Sequence, residues 1–236
     1  MKIHYILPHP DDESFGPAPV IAKQRREGHE VHLLTLTNGG ATMMRRKYGY
    51  SVAQMGEVRF QEMQDVARVL DLNSLTVLDF PDSGLKEADP RELESAIQSE
   101  IERIQPHVLV TYPVHGVSGF HDHLVSHAVV KRVFLELRDK MPSLQRLAFH
   151  TLTEDVAGAS PHFRLSHSTS AEIDCIVEVD SADVELGRKA LDCYVTFQET
   201  IENSGIRNLL GMPVPFEFFQ ESFDPPVDDL FADLGA

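Results

Sequence analysis

The chain has 236 residues, of which 42% are hydrophobic and 25% charged. These values suit one globular domain with a sizeable core and exclude global disorder, collagen-like repeats and coiled coil. Lys and Arg number 21 against 37 Asp and Glu, a formal net charge of −16, which disfavours nucleic acid and anionic membrane as main partners. The expected division is a single α/β domain over residues 1–222 followed by an acidic tail over 223–236.

Lys2 to Leu7 reads as a short buried strand, and Pro19 to Glu27 as a helix stopped by Gly28. Val31 to Thr37 is a second strand, Gly56 to Leu70 a helix, and Leu75 to Phe80 a third strand closed by the turn signal Pro81-Asp82-Ser83-Gly84. From Pro90 to Gln105, the residues Leu93, Ile97, Ile101 and Ile104 recur at helical spacing and give one apolar face. His107 to Tyr112 is a fourth strand, and Leu124 to Lys140 a helix. Leu147 to Thr151 and Ile173 to Val179 are later strands joined by a polar loop, and Asp183 to Asn203 is a helix. The tail carries Asp224, Asp228, Asp229 and Asp233 with a Pro pair, so fraying is expected unless an oligomer partner orders it. This alternation predicts an α/β, Rossmann-like, mainly parallel sheet with helices on both faces, in the order 3-2-1-4-5 plus C-terminal additions.

In such a sheet the chain changes direction between strands one and four, and ligands bind beyond the carboxyl ends of the strands there. The two segments leaving those ends are dense in ionisable groups. His9, Asp11, Asp12 and Glu13 fall within five residues; packed acids repel unless a cation or donors intervene. No glycine-rich turn follows strand one, and acids would repel a phosphate, which argues against a dinucleotide. On the other segment, His115, His121, His123 and His127 crowd thirteen residues around Asp122. Imidazole nitrogen and carboxylate oxygen with an open position suit a divalent metal, most commonly zinc. His123 and His127 alone are spaced as a helical zinc motif, but Leu124 stands where the base of that motif belongs, so His127 reads as supporting or surface-facing. A non-heme iron oxygenase uses similar ligands on an all-β barrel, which this alternating pattern does not predict.

Leu7-Pro8-His9-Pro10-Asp11-Asp12-Glu13 and Gly116-Val117-Ser118-Gly119-Phe120-His121-Asp122-His123 together resemble the PIG-L/LmbE-like zinc-dependent N-deacetylases. Leu34 to Gly39, Gly56-Glu57-Val58-Arg59 with Glu62, and Phe80 to Leu85 fit as well, so the likeness runs in order over about residues 1–130. The resemblance implies that His9, Asp12 and His123 hold Zn2+, that Asp11 is the general base, and that Arg59 and Asp82 contact a sugar or support its pocket. It implies removal of an acetyl group from an N-acetylglucosamine-type conjugate. Metal-dependent hydration of a small unsaturated carboxylic acid is the alternative within the superfamily, and a non-catalytic metal or sugar-binding protein the alternative outside it. Three departures stand out: Phe120 replaces a family His, Asn38-Gly39-Gly40 lacks a frequent acid, and Tyr194 stands where a later His often occurs. His121, one position on, is the expected substitute as oxyanion donor. Cys175 and Cys193 are too few for a disulfide framework, no apolar run approaches the roughly 20 residues of a membrane span, and no signal-peptide core is visible, so a cytoplasmic protein, possible homo-oligomer included, is expected.

Overall fold

The structure, a computed structural model, describes residues 1–159 and 164–235. In chain order the main elements are β1 (Lys2–Leu7), α1 (Ala18–Arg26), β2 (Glu30–Thr37), α2 (Arg45–Tyr48), α3 (Val52–Val69), β3 (Ser74–Phe80), α4 (Pro90–Ile104) and β4 (Val108–Thr111). The second half adds α5 (His121–Leu137), β5 (Arg146–His150), α6 (Glu154–Gly158), β6 (Cys175–Val177), α7 (Ser181–Cys193), α8 (Gln198–Ser204) and β7 (Val214–Phe218). The strands form one sheet in the order β3-β2-β1-β4-β5-β7-β6. Strands β1 to β5 are parallel, as the order 3-2-1-4-5 anticipates, and β7 runs antiparallel to both β5 and β6.

Successive side chains on a strand face opposite ways, and β1 divides accordingly. Ile3, Tyr5 and Leu7 pack with Val20 and Ile21 of α1, Met63 and Val66 of α3 and Leu191 of α7, whereas Ile6 packs with Ile97 of α4 and Val130 of α5. Both faces are therefore covered, and the central strands can be apolar throughout. Helix α3 begins four residues before the expected Gly56, because Ser51 and Gln54 form a reciprocal capping box. Helix α5 begins at His121 with Phe120 as its N-cap, earlier than the expected Leu124, so Asp122 and His123 lie in its first turn.

The helix expected over Asp183 to Asn203 is broken at Tyr194. Glu62 of α3 accepts hydrogen bonds from the Thr196 backbone N–H at 2.7 Å and the Thr196 hydroxyl at 3.0 Å, which diverts the chain into a short 3-10 turn before α8. Strand β7, between β5 and β6, is not among the expected elements; Pro213 lies outside it, and Pro215 precedes its pairing with β5, which runs from Phe216 to Phe218. Of the polar loop expected after β5, residues 160–163 lie outside the described residues. No helix among the described residues is long and apolar enough to cross a membrane.

The tail does not fray as expected. Leu230 and Phe231 are buried, and Phe231 stacks on His29 with ring centroids 4.2 Å apart. Arg146 donates to the Leu230 carbonyl at 2.7 Å and to both Glu221 oxygens, with its guanidinium 4.1 Å from the Phe218 ring centroid. Apolar anchors thus outweigh the acids: Asp224, Asp228 and Asp233 are exposed, and half-buried Asp229 accepts from the Phe231 N–H at 3.1 Å. Leu230→Ala is expected to destabilise the protein by about 2–5 kcal/mol, the usual cost of emptying a buried Leu site, read by urea unfolding. A change below about 0.5 kcal/mol, typical of surface positions, would restore the frayed tail.

One polar pair lies deep in the α4/α5 face. Both ring nitrogens of the fully buried His4 lack a hydrogen-bond partner among the described residues, and His32 stands edge-on to it at 6.3 Å. Burial, with help from His32 and Arg103, pushes the His4 imidazole down from 6.5 to about 3. The folded state then binds fewer protons than the unfolded state between those values, so stability falls as pH drops below about 6.5. At about pH 5 the His4 share of this loss is on the order of 2 kcal/mol. His4→Phe should shrink the difference between unfolding free energies measured at about pH 7 and pH 5; an unchanged difference would remove His4 from the acid response.

Candidate metal centre and active site

The five residues after β1 cannot continue as strand and do not yet form helix; Asp11 takes a left-handed backbone at φ 91°. That conformation costs a non-glycine residue about 1–3 kcal/mol unless its surroundings hold it. Here the Asp11 carbonyl accepts from Ser14 and Phe15 N–H at 2.8 and 3.0 Å, and the Asp11 N–H donates to the Tyr194 hydroxyl at 2.8 Å. Tyr194 donates in turn to buried Glu13 at 2.8 Å. The consequence is that Asp11 and Asp12, adjacent in sequence, serve different partners.

Asp12 faces two imidazoles. Its Oδ2 lies 3.5 Å from His9 Nδ1 and its Oδ1 3.5 Å from His123 Nε2. One ligand atom from each of His9, Asp12 and His123 falls within 4.8 Å of the others. Separations near 3.5 Å are close to the edge of a tetrahedron with bonds of about 2.0–2.1 Å. The supporting contacts fit a metal as well. His123 Nδ1 donates to the Gly116 carbonyl at 2.9 Å, leaving Nε2 as the free acceptor, and its ring is stacked on Tyr112 at 4.1 Å. The Tyr112 hydroxyl donates to Asp12 Oδ1 at 2.7 Å, and the His9 backbone N–H to Asp12 Oδ2 at 2.8 Å. On the far side of the His9 ring, Nε2 meets Asp122 Oδ2 at 3.1 Å, the carboxylate–histidine arrangement that orients a metal ligand.

Electrostatics follow from this crowding. Burial pushes Asp12 up, but His123, His9 and Tyr112 outweigh it and hold the carboxyl down at about 2. Burial opposes charge on His9, yet Asp12, Asp122 and Asp82 raise it to about 10. Burial lowers His123 below its ordinary value, which favours the neutral imidazole a metal requires. A second group of possible ligands, His9, Asp82 and Asp122, shares His9. Its two acids face His9 Nε2, whereas Asp12 lies by Nδ1, and they hold the Ala41 N–H at 2.6 Å and the Leu85 N–H at 3.1 Å through their other oxygens.

Asp11 points to Arg59 instead. Arg59, 2% exposed, donates to Asp11 Oδ2 and to the Pro10 carbonyl, both at 2.7 Å, with its guanidinium 4.4 Å from the Phe197 ring centroid. It is no solvated helix charge, and its contacts hold Asp11. Burial raises the Asp11 carboxyl to about 6 against the pull of Arg59, within reach of proton exchange near neutrality.

The cluster lies on a cavity of about 610 Å³ that includes Asp82, Arg59 and His121 in its wall. His121 is exposed and lines the cavity, and its side chain makes no hydrogen bond among the described residues. His127 is not in the cluster; buried, it meets the Tyr112 carbonyl through Nδ1 at 2.9 Å. His115 also lies apart, accepting from Val117 N–H at 3.1 Å. Sequence reading missed Tyr112 and His150, and it named Asp122 among the histidines without giving it a role. Tyr112 directly follows β4 and His150 ends the neighbouring β5, positions that could have marked them. His150 is fully buried in the cavity wall, where burial pushes it down to about 4, and it packs so tightly on Gly16 that any Cβ there would collide with its ring.

Comparison with known proteins gives a consistent picture. The family model described as PIG-L, GlcNAc-PI de-N-acetylase, matches residues 4–134. The chain is 32% identical over 165 residues to a probable N-acetyl-alpha-D-glucosaminyl L-malate deacetylase 2 of Bacillus subtilis, covering 67% of this chain and 73% of that protein. It spans about half the length of several other curated relatives that it matches. Among solved structures, a deacetylase of the teicoplanin biosynthesis pathway superposes with a TM-score of 0.71 at 14% identity, over 94% of this chain and 100% of that one. The 4-carboxy-2-hydroxymuconate hydratase of Pseudomonas putida gives 0.71 at 14% identity, over 94% and 97%. At that identity the two structures share the fold, and one fold thus carries both a hydrolase and a hydratase.

Tyr112→Phe deletes one hydroxyl while keeping the ring stacked on His123. It should weaken divalent-metal affinity by about 10–100-fold, the range for losing a group that orients a ligand, as read by competition with a chelating indicator. Unchanged affinity would show that Asp12 is placed without Tyr112.

Proposed function

The chain belongs to the PIG-L, GlcNAc-PI de-N-acetylase, family, and from that premise we propose that it is a zinc-dependent amide hydrolase that removes the acetyl group from an N-acetylglucosamine-type conjugate. The observation that carries this reading is the division of labour between two adjacent acids: Asp12 faces His9 and His123, while Asp11 is held beside them on Arg59. A binding protein needs the first acid alone.

Two imidazoles and a carboxylate suit zinc, with His9, Asp12 and His123 as its ligands. When bound, the metal would act as a Lewis acid toward the amide carbonyl and acidify water beside it. Asp11 takes a proton from the attacking water as its oxygen bonds to the carbonyl carbon, then returns that proton to the nitrogen as the C–N bond breaks, leaving acetate and a free amine. Arg59 and Tyr194 keep that carboxylate aimed through both transfers. His121, in the cavity wall, is our candidate donor to the oxyanion, and Asp82 our candidate sugar contact, with Arg59 supporting the pocket from behind.

Hydration of a diacid fits less well. Two carboxylates would need cationic partners, and among the described lining residues Lys86 and Arg59 carry the Lys and Arg charges, Arg59 being engaged by Asp11. Two free thiols, Cys175 and Cys193, accord with a reducing compartment, and we place the enzyme in the cytoplasm, acting on a small molecule.

Asp11→Asn should keep zinc and lose turnover by about 10²–10⁴-fold, the scale of a general base. His9→Ala should lose the metal itself. Metal content measured beside release of free amine from N-acetylglucosamine conjugates separates the two, and full turnover in chelator-stripped protein would sink the proposal.

A further inference from the structure

The cavity is not uniform along the sheet edge. At its β3–β2–β1 end stand the charged groups of the wall, from Asp82 and Lys86 to Asp11 and Asp12. At its β5–β7 end the wall changes character. The segment between α8 and β7 supplies Leu209, Leu210 and Met212, β7 itself Val214, and the chain after β5 supplies Leu152 and, from α6, Val156. The polar side chains that these segments, α8 and the end of β5 bring to the wall are the buried His150 imidazole and the hydroxyls of Thr151, Thr200 and Ser204, and they bring no Asp, Glu, Lys or Arg among the described lining residues. Ser204 is already engaged, donating to the Ile201 carbonyl at 2.7 Å.

The mouth continues this pattern. Met43, Phe120 and Met212 are exposed by 63%, 58% and 43%, and all three line the cavity. Large apolar side chains held in water around one opening mark a binding surface more often than chance exposure. The about 610 Å³ cavity also holds more than a single N-acetylated hexosamine, and sites of this size characteristically orient a ligand by few polar groups and bury the rest against apolar walls.

We infer that the substrate is an N-acylated amino sugar carrying an apolar arm, an alkyl or aryl group seated against Leu209, Leu210 and Met212, with the sugar at the charged end. This rests on the deacetylase reading and narrows it. A carboxylate or polyol arm would strip water from its polar groups at that end without finding ionic partners there. The arm could be joined at the anomeric oxygen or replace the methyl of the acyl group, and the same wall would receive either.

The test uses the zinc-loaded full chain with four probes: the methyl, octyl and carboxymethyl glycosides of N-acetylglucosamine, and N-octanoylglucosamine, with free amine as the readout. An octyl arm in one of its two positions should raise kcat/KM on the order of 10²-fold over the methyl glycoside, and the position that gains identifies the attachment. The carboxymethyl glycoside should fall below the methyl one. Equal values for all probes, or preference for the carboxylate, would overturn the inference while leaving the deacetylase reading intact. Absence of amine release from every probe would remove the deacetylase reading instead; calorimetric binding then decides the inference, with at least about tenfold tighter binding of an octyl probe supporting it and equal binding overturning it. Met212→Lys and Leu209→Lys should each reduce the octyl-to-methyl ratio several-fold. A ratio untouched by both would place the chain elsewhere and overturn the assignment of this wall.

Discussion

The arrangement depends on how the backbone turns between Leu7 and Ala18. Two carboxylates side by side in a buried site repel each other, and a regular strand would not keep both of them at the site, because it turns successive side chains to opposite faces. The left-handed conformation of Asp11 does, sending one carboxylate to the two imidazoles and the other to Arg59. The conformation is held from three elements that meet only in the folded chain: the turn itself, Arg59 on α3 and Tyr194 at the end of α7. Because Tyr194 both accepts from the Asp11 amide and donates to Glu13, a residue far along the chain closes the turn that follows the first strand.

The scaffold makes such a site affordable by confining its charges to one edge of an otherwise apolar sandwich. Leu7 and Val110 sit within the core, yet His9, Asp11 and Asp12 shortly after β1 and Tyr112 directly after β4 converge on the cavity. Helix α5 completes the centre because it starts at His121, which brings Asp122 and His123 to the strand ends through its first turn. The Gly116 carbonyl, in the loop that leads into the helix, meets His123 Nδ1 at 2.9 Å and fixes its tautomer. Local capping and catalytic geometry are in this sense the same decision.

Much of this was legible in the sequence where the signal was local or periodic. The apolar runs of β1, β2 and β4 and the Leu93–Ile97–Ile101 stripe of α4 gave the parallel order and both covered faces. Reading the two segments at the switch point marked them as rich in possible ligands, but the choice of His9, Asp12 and His123 came from the family resemblance; the folded chain brings one ligand atom from each within 4.8 Å of the others. What escaped depended on partners distant in sequence. Nothing near Thr196 announces that Glu62 will capture it and break a helix. The acidic tail looks free to fray because its anchors, Leu230 and Phe231, are two apolar residues among many acids, and Arg146 lies 84 positions away. Asp122 was noticed among the histidines, but its contact with His9 on the opposite segment is a tertiary fact.

The central claim is that the metal sits among His9, Asp12 and His123, with Asp11 beside it rather than on it. Crystals grown with zinc, and an anomalous difference map at the zinc edge, test this directly. The account predicts one strong peak about 2.0–2.2 Å from His9 Nδ1, an Asp12 carboxylate oxygen and His123 Nε2, with Asp11 still on Arg59. A peak among His9 Nε2, Asp82 and Asp122, or one ligated by Asp11, would contradict it.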